Sequence, residues 1–155
     1  MKIFLQISYV CYMKYCYEYP RPAVTVDAAV LVKKDGEISI LLIERKHDPY
    51  QGCYALPGGF VEEDETLEEA IARELQEETN LTLNNLKQFR AYSRPDRDPR
   101  GRTISVIFVS HLDAFPAAVA GDDAASIKWF PLNQLPQLAF DHGEIVKDII
   151  ANIES

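Results

Sequence analysis

Residues 59–81 decide the fold: Gly59-Phe60-Val61-Glu62-Glu63-Asp64-Glu65-Thr66-Leu67-Glu68-Glu69-Ala70-Ile71-Ala72-Arg73-Glu74-Leu75-Gln76-Glu77-Glu78-Thr79-Asn80-Leu81. Thr66 followed by Glu69 three positions on is a capping box, so a helix is expected over Thr66–Thr79. At roughly 100° per residue, Leu67, Ala70, Ile71 and Leu75 share one stripe, which must face a core. Glu74 and Glu78 fall inside that stripe, Glu77 lies at its near edge, Glu68 just past its far edge, and Glu69 and Gln76 point toward water. Two carboxylates one turn apart on a packing face repel each other and lose hydration, and a cation between them removes both penalties. Oxygen ligands without a Cys/His cluster select a hard ion, Mg²⁺ or Mn²⁺. Directly ahead lies Leu56-Pro57-Gly58-Gly59-Phe60, whose paired glycines let the backbone approach a ligand closely. That loop is a candidate for holding the metal against the helix.

The segment Glu62–Glu78 holds nine acids and one base, which accounts for the whole net charge of −8. The remainder is formally neutral, which excludes a basic nucleic-acid footprint. With 155 residues and 47% hydrophobic content, the chain is expected to form one globular domain over residues 20–155. Residues 1–19 read as an N-terminal extension or an added edge strand, and Met13 is an alternative start. The opening run imitates a signal peptide only loosely, without a small-x-small cleavage site. Three cysteines point to a reducing compartment, so a cytoplasmic location is expected, with no membrane partner. Cys53 reads as packing, and His47, His111 and His142 show no metal spacing.

Strands are expected over Ala23–Val32, Ile38–Arg45, around Tyr54–Leu56, Gly59–Val61, Gln88–Ser93, Thr103–Leu112 and Ile127–Phe130, with a second helix over about His142–Ile153. Several strands and two separated helices imply an α/β (α+β) domain, a mixed sheet packed between helices.

The spacing Gly59-x5-Glu65-x7-Arg73-Glu74-Leu75-x-Glu77-Glu78-x-Asn80-Leu81 resembles the signature of the Nudix hydrolases, G-x5-E-x7-R-E-U-x-E-E-x-G-U. Eight of the nine defining positions agree. The exception is Asn80 in place of glycine, and asparagine is the next most tolerant residue of a left-handed helix end. Leu41–Lys46, Tyr54–Phe60 and Ser126–Leu132 are similar to family segments as well. The resemblance implies the Nudix fold, with hydrolysis of a diphosphate linked to another group. It implies Glu74, Glu77 and Glu78 as metal ligands with a carbonyl of Gly58 or Gly59, and Glu65 and Arg73 as an orienting pair. Family members differ in the carboxylate that takes the proton from water. Here the choices are a box glutamate, Asp122 or Asp123.

Five arginines fall between residues 90 and 102. The loop Arg94-Pro95-Asp96-Arg97-Asp98-Pro99-Arg100-Gly101-Arg102 supplies forked donors suited to phosphate. Its proline placement, with Tyr19–Asp27, resembles the ADP-ribose pyrophosphatase branch, implying ADP-ribose and water as substrates and AMP and ribose 5-phosphate as products. Arg45, Arg94, Arg97, Arg100, Arg102 and Gly58 are then the candidate substrate contacts. Tyr17, Tyr19, Phe89, Tyr92 and Phe108 are the aromatics considered for stacking an adenine. Rival readings are a pyrophosphohydrolase of oxidised nucleoside triphosphates or of NADH, and a non-catalytic ADP-ribose sensor. Regulators of that kind carry a DNA-binding extension and tend to lose box glutamates. Here little chain follows His142 and every box glutamate is present. Many relatives pair as homodimers, so a homodimer is an open arrangement.

Overall fold

The computed structural model describes residues 18–117 and 124–153. Its elements are β1 (Ala23–Lys34), β2 (Glu37–Arg45), β3 (Tyr54–Ala55), β4 (Gly58–Phe60), α1 (Leu67–Thr79), β5 (Lys87–Tyr92), β6 (Thr103–Leu112), β7 (Ala124–Pro131) and α2 (His142–Ile153). The strands form one seven-stranded mixed sheet with β1 at its centre. β1 runs parallel to β6 from Ala23↔Thr103 to Val32↔Leu112, and β5 closes that side antiparallel to β6.

β1 is buried on both faces, which explains its unbroken apolar run. Alternate residues serve opposite layers. Val26, Ala28 and Val30 pack with Ala70, Ile71 and Leu75 of α1. Ala29 and Leu31 pack with Ile145, Val146 and Ile149 of α2. The expected sheet between helices is therefore present.

The functional region follows from a parting of strands. With β6 on one edge of β1, its other edge is shared. β2 takes Leu31–Lys34 and β4 takes Thr25–Asp27. β2 diverges beyond Ile40, pairing instead with β3 at Ile43 and Glu44. The Gly58–Phe60 segment is thereby laid beside the buried start of β1, under α1.

Several strand boundaries differ from the sequence reading: β1 runs on to Lys34, β3 stops at Ala55, β4 and β5 each lie one residue earlier, at Gly58–Phe60 and Lys87–Tyr92, and β7 ends at Pro131. β7 begins at Ala124 instead of Ile127, because Arg45 and Glu44 of β2 pair with Ala124 and Ser126. No apolar pattern marks those positions, since this pairing runs past the core. β2 begins one residue early, at Glu37, to close its hairpin with Lys34.

Candidate functional site

Helix α1 starts as its capping box dictates. Thr66 Oγ1 accepts the Glu69 N–H, and the Glu69 carboxylate accepts the Thr66 N–H at 2.7 Å. It ends at Asn80 with φ 54°, the left-handed conformation in which asparagine replaces glycine. Between the caps, Arg73 gathers the acids. Its Nε and Nη2 donate to Glu65 at 2.9 and 2.6 Å, and its Nη1 donates to Glu74 at 2.7 Å and Glu77 at 3.2 Å. Nη2 also reaches the Phe60 carbonyl at 3.0 Å, tying the helix to β4. The hydrogen bonds from Arg73, then that from the Glu62 N–H, hold the Glu65 carboxyl down at about 2. Burial is the largest influence on Glu74 and pushes its carboxyl above the usual range, against the pull of Arg73.

Glu78 is buried, and its Oε2 accepts the Gly58 N–H at 2.9 Å. A Cβ at Gly59 would overlap the Glu74 carboxylate, and one at Gly58 would overlap the Val26 carbonyl and crowd Asp27. The backbone around Gly58 thus requires glycine, and at Gly59 its absence of a side chain leaves room for the Glu74 carboxylate. As they stand, no three His, Cys, Asp or Glu side chains among the described residues converge to hold a metal. Arg73 takes Glu74 and Glu77, and the Gly58 amide takes Glu78. The donor set fits a hard divalent cation: oxygens only, two on the buried side of one helix, facing a backbone loop without side chains.

Below this lies a cleft of about 120 Å³ lined by Thr25, Asp27, Arg45, Gly58, Gly59, Phe60, Arg97, Asp98, Arg100, Phe140 and His142. The Arg45 guanidinium is held by carbonyls, its Nε donating to Pro49 O at 2.9 Å and its Nη2 to His47 O at 3.4 Å. Burial, then the neighbouring Arg100 charge, lower its pKa. A half-buried cation beside a like charge is a ready host for an anion.

The other arginines diverge. Arg100 lies in the cleft, its Nη2 paired with Asp98 at 2.8 Å. Arg97 reaches the cleft wall, but its fork is spent on Asp141 at 2.9 and 2.7 Å, with both side chains buried. Arg94 points to Asp96 and Glu144, and Arg102 to the Ser93 carbonyl; neither lines the cleft. Asp122 and Asp123 lie outside the described residues.

Three cleft features carry no clear sequence signal of a site. Asp27 is an acid within an apolar strand, accepting from Ser105 Oγ. Its position in that run was the available clue. His142 accepts the Leu56 N–H on Nδ1 at 3.0 Å, so its proton sits on Nε2, 3.6 Å from Asp27 Oδ1. Burial lowers its pKa despite Asp27. The cleft aromatics are Phe60 and Phe140, neither of them one of the five aromatics expected from the sequence. Phe108 is core, Phe89 and Tyr92 pack toward α2, and Tyr19 is exposed and does not line the cleft. Tyr17 lies outside the described residues.

Carboxylates collected by one arginine against a glycine loop, beside a cleft bearing guanidiniums, have the charges that suit a phosphate-containing substrate. Residues 21–149 match the NUDIX domain. The chain belongs to the Nudix family. It is 52% identical over 131 residues to the ADP-ribose pyrophosphatase of Methanocaldococcus jannaschii, covering 84% of this chain and 74% of that protein. It is 32% identical to the ADPR responsive transcriptional repressor NtrR of Acinetobacter baylyi, over 89% of this chain but only 57% of the repressor. Among solved structures, the NUDIX domain of Shewanella oneidensis NrtR complexed with ADP ribose superposes with a TM-score of 0.80 at 30% identity, covering 87% and 90% of the two chains. A bifunctional NMN adenylyltransferase/ADP ribose pyrophosphatase from Francisella tularensis, complexed with AMP and a Mn ion, superposes with a TM-score of 0.76 at 35% identity, covering 88% and 43%.

Proposed function

We propose that this chain is a divalent-metal-dependent ADP-ribose pyrophosphatase, converting ADP-ribose and water to AMP and ribose 5-phosphate. The observation that carries the reading is the Arg73-gathered box beside Arg45, a partly buried guanidinium held by carbonyls. The Methanocaldococcus pyrophosphatase supports the substrate.

Glu74, Glu77 and Glu78, with a carbonyl of Gly58 or Gly59, would hold Mg²⁺ or Mn²⁺. The ion would supply charge withdrawal from the diphosphate and a bound water of lowered pKa. Arg73 keeps the glutamates aligned and, through the Phe60 carbonyl, keeps the helix against β4. Arg45 presents donors to the diphosphate oxygens. A box glutamate, Asp122 or Asp123 takes the proton from water. The three cysteines support a cytoplasmic location within this reading, which also admits a homodimer.

The test is product analysis with ADP-ribose, NADH, diadenosine polyphosphates and oxidised dNTPs, with Mg²⁺ or EDTA, for wild type and Glu78→Gln. AMP and ribose 5-phosphate from ADP-ribose, lost with EDTA and reduced about 100-fold or more in the variant, is expected. Turnover of only another substrate removes the ADP-ribose assignment. ADP-ribose bound without turnover makes the chain a sensor, the alternative that its likeness to the repressor favours.

A further inference from the structure

We propose that Phe60 and Phe140 form a stacking slot for the purine base of the substrate, occupied in the free protein by the guanidinium of Arg100. The inference rests on the nucleotide reading of the site and specifies where the base goes. The Arg100 guanidinium lies 5.0 Å from the Phe60 ring centre and 5.4 Å from that of Phe140. A flat cation reaching two rings marks a place where a larger flat group finds apolar faces.

The two rings differ in how they are held. Phe60 follows the glycine loop directly and is 44% exposed, so part of its ring is open to a ligand. Phe140 is braced by the Tyr50 ring, edge-on at 4.8 Å, and by Arg45 over its face at 4.8 Å. Its backbone has φ 53°, uncommon for a bulky residue and typical of positions where function sets the geometry.

Arg100 is the movable member. Its guanidinium is anchored to Asp98, two residues earlier in the same loop, and its side chain is 42% exposed. Asp98 keeps the Arg100 backbone N–H at 2.9 Å and the charge of Arg97 when the guanidinium leaves. Displacement therefore breaks no hydrogen bond to the rest of the fold, and it frees a fork for phosphate.

The test is calorimetric binding of adenosine, AMP and ribose 5-phosphate to wild type, Phe60→Leu, Phe60→Trp and Arg100→Ala, with folding checked by thermal melts. Phe60→Leu weakens adenosine and AMP about tenfold and leaves ribose 5-phosphate unchanged, as loss of one base stack requires. Phe60→Trp restores both. Arg100→Ala binds adenosine at least as tightly as wild type, because the slot is already clear. The slot is overturned if wild type does not bind AMP or if Phe60→Leu leaves AMP affinity intact. Weaker adenosine binding by Arg100→Ala overturns it too. Because binding is read without turnover, this pattern in a protein inert toward ADP-ribose would keep the slot and discard the reaction. Normal turnover with an unchanged KM in Phe60→Leu would do the reverse.

Discussion

Replacing Arg97 with methionine separates a residue that serves the fold from one that serves the substrate. Arg97 and Asp141 each keep only 3% of their side-chain surface, and the pair is bidentate at 2.9 and 2.7 Å. It joins the loop before β6 to the residue preceding α2, whose carbonyl accepts the N–H groups of Glu144 and Ile145. Methionine preserves length and apolar contact but leaves the Asp141 carboxylate buried without its cation. Stranding one partner of such a pair costs about 3–5 kcal/mol, against a total stability of about 5–15 kcal/mol. For a chain of this size each kcal/mol shifts the melting temperature by about 2–4 °C, so a fall of roughly 6–20 °C is expected. In urea the midpoint falls by about 2 M at an m-value near 2 kcal/mol/M. Adding Asp141→Leu removes the stranded charge and recovers most of that loss. The assay is urea denaturation of the two single variants and the double variant, with KM measured where each is folded. A loss under about 1 kcal/mol together with a raised KM would refute the reasoning, because the fork would then be holding substrate rather than Asp141.

Two further outcomes follow from the site. In Gly59→Ala the new Cβ meets the flexible end of Glu74, not backbone, so the fold survives while the carboxylate is pushed aside. Its kcat falls about 100-fold and Mn²⁺ binding weakens, with little change in melting temperature; unchanged Mn²⁺ affinity would count against the loop's role. Glu65 is held at about 2 in the folded chain, below its ordinary value of 4.5. A depressed folded pKa gives stability that is complete above the unfolded value and lost as pH falls from 4.5 toward 2. Urea midpoints of wild type and Glu65→Gln should therefore converge across that window, and parallel curves would show that Arg73 does not set this carboxyl.

The helix was legible because its determinants are local. Thr66 and Glu69 cap each other, Asn80 turns the chain out, and the stripe of Leu67, Ala70, Ile71 and Leu75 fixes which glutamates face inward. The wheel put Glu78 inside and left Glu77 at an edge. In the structure Glu78 is buried, and the Glu77 side chain is 54% exposed. The arginine loop was legible only in composition. Five similar side chains gave no sign of which would find a carboxylate, and the partner that claims Arg97 stands 44 residues away.

The sequence by itself therefore determined the Nudix family, the acidic helix with its caps, and the glycine loop, since each depends on residues within a few turns of one another. Only the tertiary structure decided what shares the cleft. The parting of β1 and β2 brings Asp27 from a central strand, Phe60 from β4, Phe140 from the turn before α2 and His142 from its first residue to one place. It turns Arg45 and Arg100 inward and leaves Arg94 and Arg102 facing other partners. Such choices are set by strand register and packing between segments distant in sequence, where burial and ion pairing compete for the same side chain.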